Sequence, residues 1–229
     1  MIDKKVIFLH MPKCAGSSMK TILRSVYGNS YAEDYCSYCK FPRAERFKMI
    51  SLDSYEPDDN DNSGMIFGHF YPFKYFHFSH AKPKTNRVFV TFLRDPLERL
   101  ASHYAYWKMP RRVVNHYLLR QMIQEEWSFL DFAFAEEMKN FYSQYLFQVP
   151  VDAFDFIGIH ENLESEWREL CHFLEIGHRV LPKIRKSDSA NILSRLSETV
   201  RSEIRDFHSE DYFIYDYAVA LSSKRMKRG

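Results

Sequence analysis

The chain has 229 residues, of which 45% are hydrophobic and 27% are charged, and this composition excludes a disordered or fibrous protein. Its length predicts one domain over residues 1–229, large enough to bury a core without disulfides or a metal. Lysine and arginine together number 32, and aspartate and glutamate 30. The resulting net charge of +2 argues against a nucleic-acid partner, for which a strongly basic surface is typical.

The sequence lacks the apolar segments that export or membrane insertion requires. The run near the N-terminus, residues 6–9, is too short for a signal peptide or a membrane span, and no later run approaches 18 apolar residues. We therefore expect a cytoplasmic protein that does not contact membranes. Cys36 and Cys39 form a single CxxC pair. Because structural zinc requires four ligands, two loop thiols are favoured over a metal or redox site.

Four short apolar runs predict buried strands, at residues 5–10, 65–67, 87–93 and 154–159. A helix is expected after the first strand, with Ser17 or Ser18 near its N-cap. Pro96 suits the first turn of a helix over 96–107, and a further apolar pattern predicts a helix from Leu163. Strands that alternate with helices indicate βαβ units. The predicted fold class is therefore α/β, with one mainly parallel sheet flanked by helices.

The remaining segments predict helices and solvated loops. Residues 112–147 and 194–221 favour helix, whereas the acidic stretch 56–62 favours a solvated loop. The basic residues at 224–228 are expected to form a frayed, solvent-exposed end.

The turn after the first predicted strand, here called the phosphate turn, combines small residues with a lysine and two hydroxyls. Its members are Lys13, Cys14, Ala15, Gly16, Ser17 and Ser18. Backbone N–H groups at a helix N-terminus bind anions, Gly16 permits close approach of a phosphate, and Lys13 adds a full charge. Phosphate binding is therefore favoured over a simple strand–helix connection. Because Lys13 precedes Gly16 instead of following it, the turn is not the phosphate loop of ATP or GTP hydrolases.

A second basic segment follows the third predicted strand. Arg94 lies at the end of this strand, where open α/β sheets bind ligands, and Ser102 follows about two helical turns later. An arginine fork with a hydroxyl suits a phosphate monoester. The alternative is an ion pair of Arg94 with Asp95 or Glu98.

The two segments together resemble the sulfotransferase family, in particular the carbohydrate O-sulfotransferases of the heparan sulfate type. Residues 10–18 are similar to the family's 5′-phosphosulfate loop and residues 94–102 to its 3′-phosphate segment, with a weaker similarity at 140–146. The resemblance implies a P-loop-like sulfotransferase fold and the donor 3′-phosphoadenosine 5′-phosphosulfate (PAPS), which leaves as 3′,5′-ADP without a metal. It also implies a basic loop that closes over the nucleotide and contains Arg185, Lys186 and Ser187.

The resemblance suggests how the reaction would proceed. Lys13 would stabilise the transferred group and the bridging oxygen, and His69, after the second predicted strand, would take the proton of an acceptor hydroxyl. A pKa of about 6.5 suits histidine to this task; the alternative is a histidine packed among neighbouring aromatic rings. If His69 is not the base, Glu33 or Asp34 is the next candidate. His10 is expected to orient the phosphate turn.

Three functions follow from the sequence. The leading one is transfer of a sulfuryl group from PAPS to a hydroxyl of a small molecule or carbohydrate by in-line displacement. The alternatives are a Mg²⁺-dependent nucleotide kinase with an irregular phosphate loop, and a non-catalytic module that binds RNA or an acidic surface. The acceptor is expected to contact residues 29–64, 70–80 and 106–127. Neither its identity nor the oligomeric state is predicted by the sequence.

Overall fold

The computed structural model describes residues 4–35, 42, 45, 63–76, 87–109, 116–147, 149–182 and 189–227. Its strands are β1 (Lys5–Leu9), β2 (Tyr31–Tyr35), β3 (Met65–His69), β4 (Arg87–Leu93) and β5 (Phe156–Ile159). Within the described ranges they form a five-stranded sheet in the order β2-β3-β1-β4-β5, and each pairing between them is parallel. The predicted parallel α/β sheet is thereby confirmed.

Helices flank this sheet. In chain order they are α1 (Gly16–Tyr27), α2 (Pro96–Trp107), α3 (Tyr117–Gln124), α4 (Phe129–Ala133), α5 (Phe141–Leu146), α6 (Leu163–Phe173), α7 (Ser189–Ser194), α8 (Glu198–Phe207) and α9 (Ser209–Met226). Helix α2 has the predicted bounds. It begins after Asp95, whose carboxylate accepts a hydrogen bond from the Glu98 N–H at 2.9 Å, and Pro96 occupies its first turn.

The centre of the sheet is buried on both faces. In β1 the side chains from Val6 to Leu9 are at most 1% exposed, as continuous apolar runs in parallel sheets require. Helix α1 buries Met19 and Leu23 on one stripe. The core therefore holds the strands and the start of α1 in place, and this fixes the points at which the loops between them begin and end.

Two N-terminal features differ from the sequence expectation. Strand β2 is absent from the prediction, because it is an edge strand of sequence YAEDY with no apolar run. Helix α1 begins at Gly16 and has Ala15 as its N-cap residue, so the expectation of a serine N-cap is wrong. The N–H groups of Ser18 and Met19 bond to the Ala15 carbonyl instead, at 3.1 and 3.4 Å.

The C-terminal segment has a helical backbone, so the expectation of a frayed end is wrong there, whereas Lys224 and Lys227 are exposed to solvent as expected. Helix α9 continues to Met226. Arg225 donates a hydrogen bond to the Ile157 carbonyl at 2.8 Å and pairs with the buried carboxylate of Glu166. Arg225 thereby supplies a partner to a carbonyl and to a buried carboxylate that would otherwise be unpaired.

The predicted helical block over 112–147 is divided in its described part. It contains α3, α4 and α5, and the turns between them include Glu126 and Asn140, both with positive φ. The acidic stretch 56–62, predicted to be a solvated loop, lies outside the described residues.

Candidate active site

The carboxyl ends of the parallel strands meet at one edge of the sheet and line a cleft. The phosphate turn follows β1, His69 ends β3, Arg94 follows β4 and His160 follows β5. The cleft has a volume of about 1230 Å³. It lies at the centre of the sheet, where the chain leads from β1 towards β2 on one side and from β4 towards β5 on the other, which is the usual ligand position in open α/β sheets. The predicted site residues that line it are Lys13, Ala15, Gly16, Ser17, Ser18, His69, Arg94 and Ser102.

The phosphate turn has a backbone conformation that fits an anion. Lys13 and Ala15 have φ values of 71° and 62°, in the left-handed region, although neither is a glycine. Such residues cost about 1–3 kcal/mol each and concentrate at functional sites. Turns of this kind gather successive backbone N–H groups into a concave anion site, and the N-terminus of α1 adds its positive dipole.

Gly16 is required by its contact with His10. A Cβ atom at position 16 would overlap the imidazole ring of His10. The same ring stacks on His69, with 4.4 Å between the ring centroids. His10 therefore lies between the start of α1 and the candidate base, and its ring contacts both.

Gly16→Ala is expected to destabilise the protein by roughly 1–3 kcal/mol, because the added methyl group overpacks against His10. The melting temperature would fall by about 2–12 °C. The double variant His10→Ala/Gly16→Ala lacks the ring that the methyl group would overlap. Its melting temperature should therefore fall by less than the sum of the decreases measured for His10→Ala and Gly16→Ala. Thermal unfolding of the three variants measures this. A Gly16→Ala protein that melts like the wild type would contradict the close packing of His10 on α1.

Lys13 and Cys14 have different surroundings despite being adjacent. The Lys13 Nζ lies 4.1 Å from the centroid of the Tyr106 ring, a cation–π contact that holds the ammonium at the cleft wall. Cys14 is 1% exposed, and its Sγ lies 3.7 Å from the Tyr142 hydroxyl. Burial raises the pKa of Cys14 to about 11, so the thiol stays protonated at neutral pH. A contact of Cys14 with a ligand would therefore use its backbone.

Arg94 combines an ion pair with an unpaired donor. Its Nη2 donates to the Glu98 carboxylate at 3.0 Å, so the ion pair considered as an alternative from the sequence is present. The Arg94 side chain is 14% exposed, and its buried Nε has no hydrogen-bond partner among the described residues. An unpaired buried donor costs about 1–3 kcal/mol. Because guanidinium has five N–H donors, the ion pair leaves Arg94 able to bind a ligand oxygen.

His69 is oriented by the backbone of its neighbouring strand. Its Nδ1–H donates to the His10 carbonyl oxygen at 2.5 Å, and because a carbonyl only accepts, the neutral ring carries its proton on Nδ1. The ring nitrogen left to act as a base is Nε2. Burial lowers the pKa of His69 to about 4, so the ring is neutral at pH 7. The rings of Tyr35 and Tyr145 lie 4.9 and 6.4 Å away, so His69 is both packed among aromatic rings and part of the cleft.

The two acids considered as alternative bases are engaged elsewhere. Glu33 accepts a hydrogen bond at 2.7 Å from a lysine of α1. Asp34 accepts hydrogen bonds from the Lys74 Nζ and the Tyr75 hydroxyl, each at 2.7 Å. Neither acid is among the described residues that line the cleft, whereas His69 is.

The segment after α6 forms another part of the cleft wall. Residues 178–182 line the cleft and are held by Trp167, whose indole N–H donates to the Arg179 carbonyl at 2.6 Å. The chain then leaves the described range before α7. The predicted closing loop lies in this gap, with Arg185, Lys186 and Ser187.

Tyr142, Arg99 and Asp211 are buried behind the site and were missed by the sequence argument. The Tyr142 hydroxyl donates to the Arg94 carbonyl at 2.6 Å and accepts from the Arg94 N–H at 3.0 Å. The Tyr142 N–H donates to Asp211 at 2.7 Å, and the Arg99 guanidinium lies 4.1 Å from the centroid of the Phe141 ring. The similarity at 140–146 pointed to this region, but the contacts join segments far apart in the chain and leave no local pattern.

Metal-ligating side chains do not cluster in the described segments. No group of three or more His, Cys, Asp or Glu residues is placed there to hold a metal ion, and Cys36 and Cys39 lie outside those segments. Among the helices of the same segments, none has both the length and the apolar character needed to cross a bilayer.

The parallel sheet and the cleft at the carboxyl ends of its strands, lined by the phosphate turn and His69, define the fold as α/β with a candidate ligand site. The sequence model of the Sulfotransferase family matches residues 2–218. The chain therefore belongs to the sulfotransferase family, whose enzymes transfer sulfuryl groups. This confirms the family predicted from the sequence, whereas membership of the heparan sulfate type stays a prediction.

Two solved structures align with nearly the whole chain at low identity. A sulfotransferase from Alicyclobacillus acidocaldarius is 14% identical with a TM-score of 0.46, and the alignment covers 95% of this chain and 96% of that one. Mouse sulfotransferase SULT7A1, complexed with PAP, is 8% identical with a TM-score of 0.46, and the alignment covers 96% of this chain and 89% of that one. No curated protein sequence matches the chain.

Proposed function

We propose that the chain transfers the sulfuryl group of PAPS to a hydroxyl of a small-molecule or carbohydrate acceptor. The observation that carries this proposal is the convergence of the phosphate turn, Arg94 and His69 on one cleft. Membership of the sulfotransferase family supports the sulfuryl chemistry.

Two separate anion sites suit the two charged ends of PAPS. The phosphate turn and the start of α1 would hold the 5′-phosphosulfate, which the left-handed backbone at Lys13 and Ala15 favours. The unpaired Nε of Arg94 would bind an oxygen of the 3′-phosphate, and Ser102 lines the same cleft. The cleft volume of about 1230 Å³ exceeds the roughly 300–1,000 Å³ of a typical ligand pocket, which leaves room for an acceptor.

In the proposed reaction, Lys13 and His69 have separate tasks. Bound PAPS supplies a sulfuryl group whose transfer breaks the S–O bond to the 5′-phosphate and forms an S–O bond to the acceptor oxygen. Lys13 stabilises the negative charge that develops on the departing phosphate oxygen. Nε2 of His69 takes the proton of the acceptor hydroxyl while Nδ1–H stays bonded to the His10 carbonyl. The stacked His10 ring fixes the separation of base and phosphate turn, which in-line displacement requires.

Aromatic side chains favour an acceptor with a flat or sugar-like face. Tyr35, Tyr106 and Tyr145 line the cleft, and tyrosine offers both a ring face and a hydroxyl to such a ligand. Two of the three segments expected to contact the acceptor, 29–64 and 106–127, therefore contribute to the cleft wall. The described part of the third, 70–76, is absent from that wall.

Thermal unfolding with nucleotides tests the proposal. A ligand present at a hundred times its Kd stabilises a protein by about 2.7 kcal/mol, which raises Tm by roughly 5–11 °C at this chain length. We expect such a shift with 3′,5′-ADP in the absence of added metal, and a smaller one with 5′-AMP. A shift only with ATP and Mg²⁺ would replace this proposal by the kinase alternative. No shift with any nucleotide would favour a non-catalytic module.

Arg94→Ala is expected to weaken 3′,5′-ADP binding by about 10–100-fold and 5′-AMP binding much less, because only the former carries the phosphate that Arg94 would bind. Glu98→Gln is the matched variant: it keeps Arg94 and removes the carboxylate that competes for it, so 3′,5′-ADP should bind more tightly. Titration calorimetry with both nucleotides measures these effects. Equal losses for the two nucleotides in Arg94→Ala would contradict the assignment of the 3′-phosphate site.

A further inference from the structure

Tyr142 is the buried contact between the two predicted anion sites. It is 0% exposed, and its hydroxyl bonds to both backbone groups of Arg94, donating to the carbonyl at 2.6 Å and accepting from the N–H at 3.0 Å. The Sγ of Cys14 in the phosphate turn lies 3.7 Å from the same hydroxyl. One hydroxyl therefore contacts both the residue after β4 and the turn after β1.

The backbone of Tyr142 is fixed as firmly as its hydroxyl. Its N–H donates to the Asp211 carboxylate at 2.7 Å, and the Ser143 N–H donates to the same oxygen at 3.2 Å, so Asp211 bonds to the first turn of α5. On the other side, the buried guanidinium of Arg99 lies 5.7 Å from the centroid of the Tyr142 ring. Burial raises the pKa of Tyr142 well above its ordinary value, so the hydroxyl keeps the proton that it donates to Arg94.

We propose that Tyr142 is a positioning residue that holds Arg94 for the 3′-phosphate of the donor and couples it to the phosphate turn. This inference rests on the proposed function, because it assigns Arg94 to that phosphate. Without the hydroxyl, the Arg94 N–H and carbonyl lose their partner in a buried place, and the guanidinium is no longer held where its unpaired Nε can meet the ligand. The Cys14 Sγ lies 3.7 Å from the same hydroxyl, a weaker contact than the two bonds to Arg94, so the turn that would bind the 5′ end depends on this hydroxyl much less than Arg94 does.

Tyr142→Phe, which removes only the hydroxyl, tests this role through the preference for 3′,5′-ADP over 5′-AMP. We expect the affinity for 3′,5′-ADP to fall by about 10–100-fold, and that for 5′-AMP by much less, so the preference shrinks. Tyr104→Phe is the matched control: the Tyr104 hydroxyl also donates to a carbonyl, that of Trp127 at 2.8 Å, and lies outside the cleft lining. It should lose stability without any change in nucleotide preference.

The outcomes separate this inference from the proposed function. If the wild type has no preference for 3′,5′-ADP, the proposed donor is wrong. If the wild type has the preference and Tyr142→Phe keeps it, Tyr142 is not the positioning residue. A second readout needs no variant: 3′,5′-ADP should slow hydrogen exchange of the Arg94 amide, which donates to Tyr142, more than 5′-AMP does. Equal exchange with the two nucleotides would overturn the inference even if Tyr142→Phe does not fold.

Discussion

Lys13→Ala is expected to lower kcat by about 100–1,000-fold, the usual effect of removing one group that stabilises developing negative charge. Lys13 is the ammonium of the phosphate turn that lines the cleft, and the proposed reaction places that charge on the departing phosphate oxygen. The loss of stability should be small, because the cation–π contact with Tyr106 is worth about 0.5–1 kcal/mol. Steady-state kinetics with saturating PAPS, together with thermal unfolding, separates the two effects.

Lys108→Ala is the matched control for Lys13→Ala. Lys108 is an exposed lysine at the end of α2 and lies outside the cleft lining, so its removal takes the same charge from the protein without touching the site. We expect its kcat to equal that of the wild type. Sulfuryl transfer at a near-normal rate in Lys13→Ala would remove Lys13 from the mechanism.

His69→Ala is expected to lower kcat by about 100–10,000-fold, the range that general acid–base catalysis contributes, while 3′,5′-ADP still binds. The residue lines the cleft but lies on β3, apart from the phosphate turn and Arg94. Tyr31→Phe serves as the control. It removes a hydroxyl from a ring that lies near Phe67 and leaves the residues that line the cleft unchanged. An active His69→Ala enzyme would mean that the base is a different residue.

The acid side of the pH–rate profile gives an independent check on His69. A base must be neutral, and burial lowers the pKa of His69 to about 4. In the free enzyme we therefore expect kcat/KM to persist as the pH falls below 6 and to decline only near pH 4. Because the folded pKa lies below the unfolded value of about 6.5, His69 also contributes stability above pH 6.5 that is lost as the pH falls toward 4. A decline of kcat/KM centred near pH 6.5 would contradict the buried, neutral His69.

Much of the fold could be predicted because the sequences of the central strands are continuous apolar runs. Strands β1, β3, β4 and β5 are buried, so burial itself selects their composition. Strand β2 could not be predicted in the same way: among the described strands it pairs with β3 alone, at the sheet edge, and its polar sequence is stabilised by that pairing instead of by burial.

The candidate site could be predicted from the sequence where its residues lie together in one short segment. The phosphate turn holds its lysine, small residues and helix start within six positions, and Arg94 is identified by the strand that it follows. Tyr142 and Asp211 could not be predicted in this way, because each forms its hydrogen bond with a residue more than 40 positions away in the chain. A tyrosine or an aspartate in a helical segment carries no sign of such a partner, so only the folded structure brings them together.

The ion pair of Arg94 with Glu98 would affect which anions bind at the proposed 3′-phosphate site. The carboxylate partly neutralises the guanidinium at 3.0 Å, so a free anion such as inorganic phosphate that meets only the remaining Arg94 donors would gain little from the guanidinium charge. A nucleotide held by the phosphate turn would present its second phosphate to those donors at a high effective concentration. In the proposed site the ion pair would thereby favour a ligand with two correctly spaced charges over small cellular anions, at the expense of some binding strength.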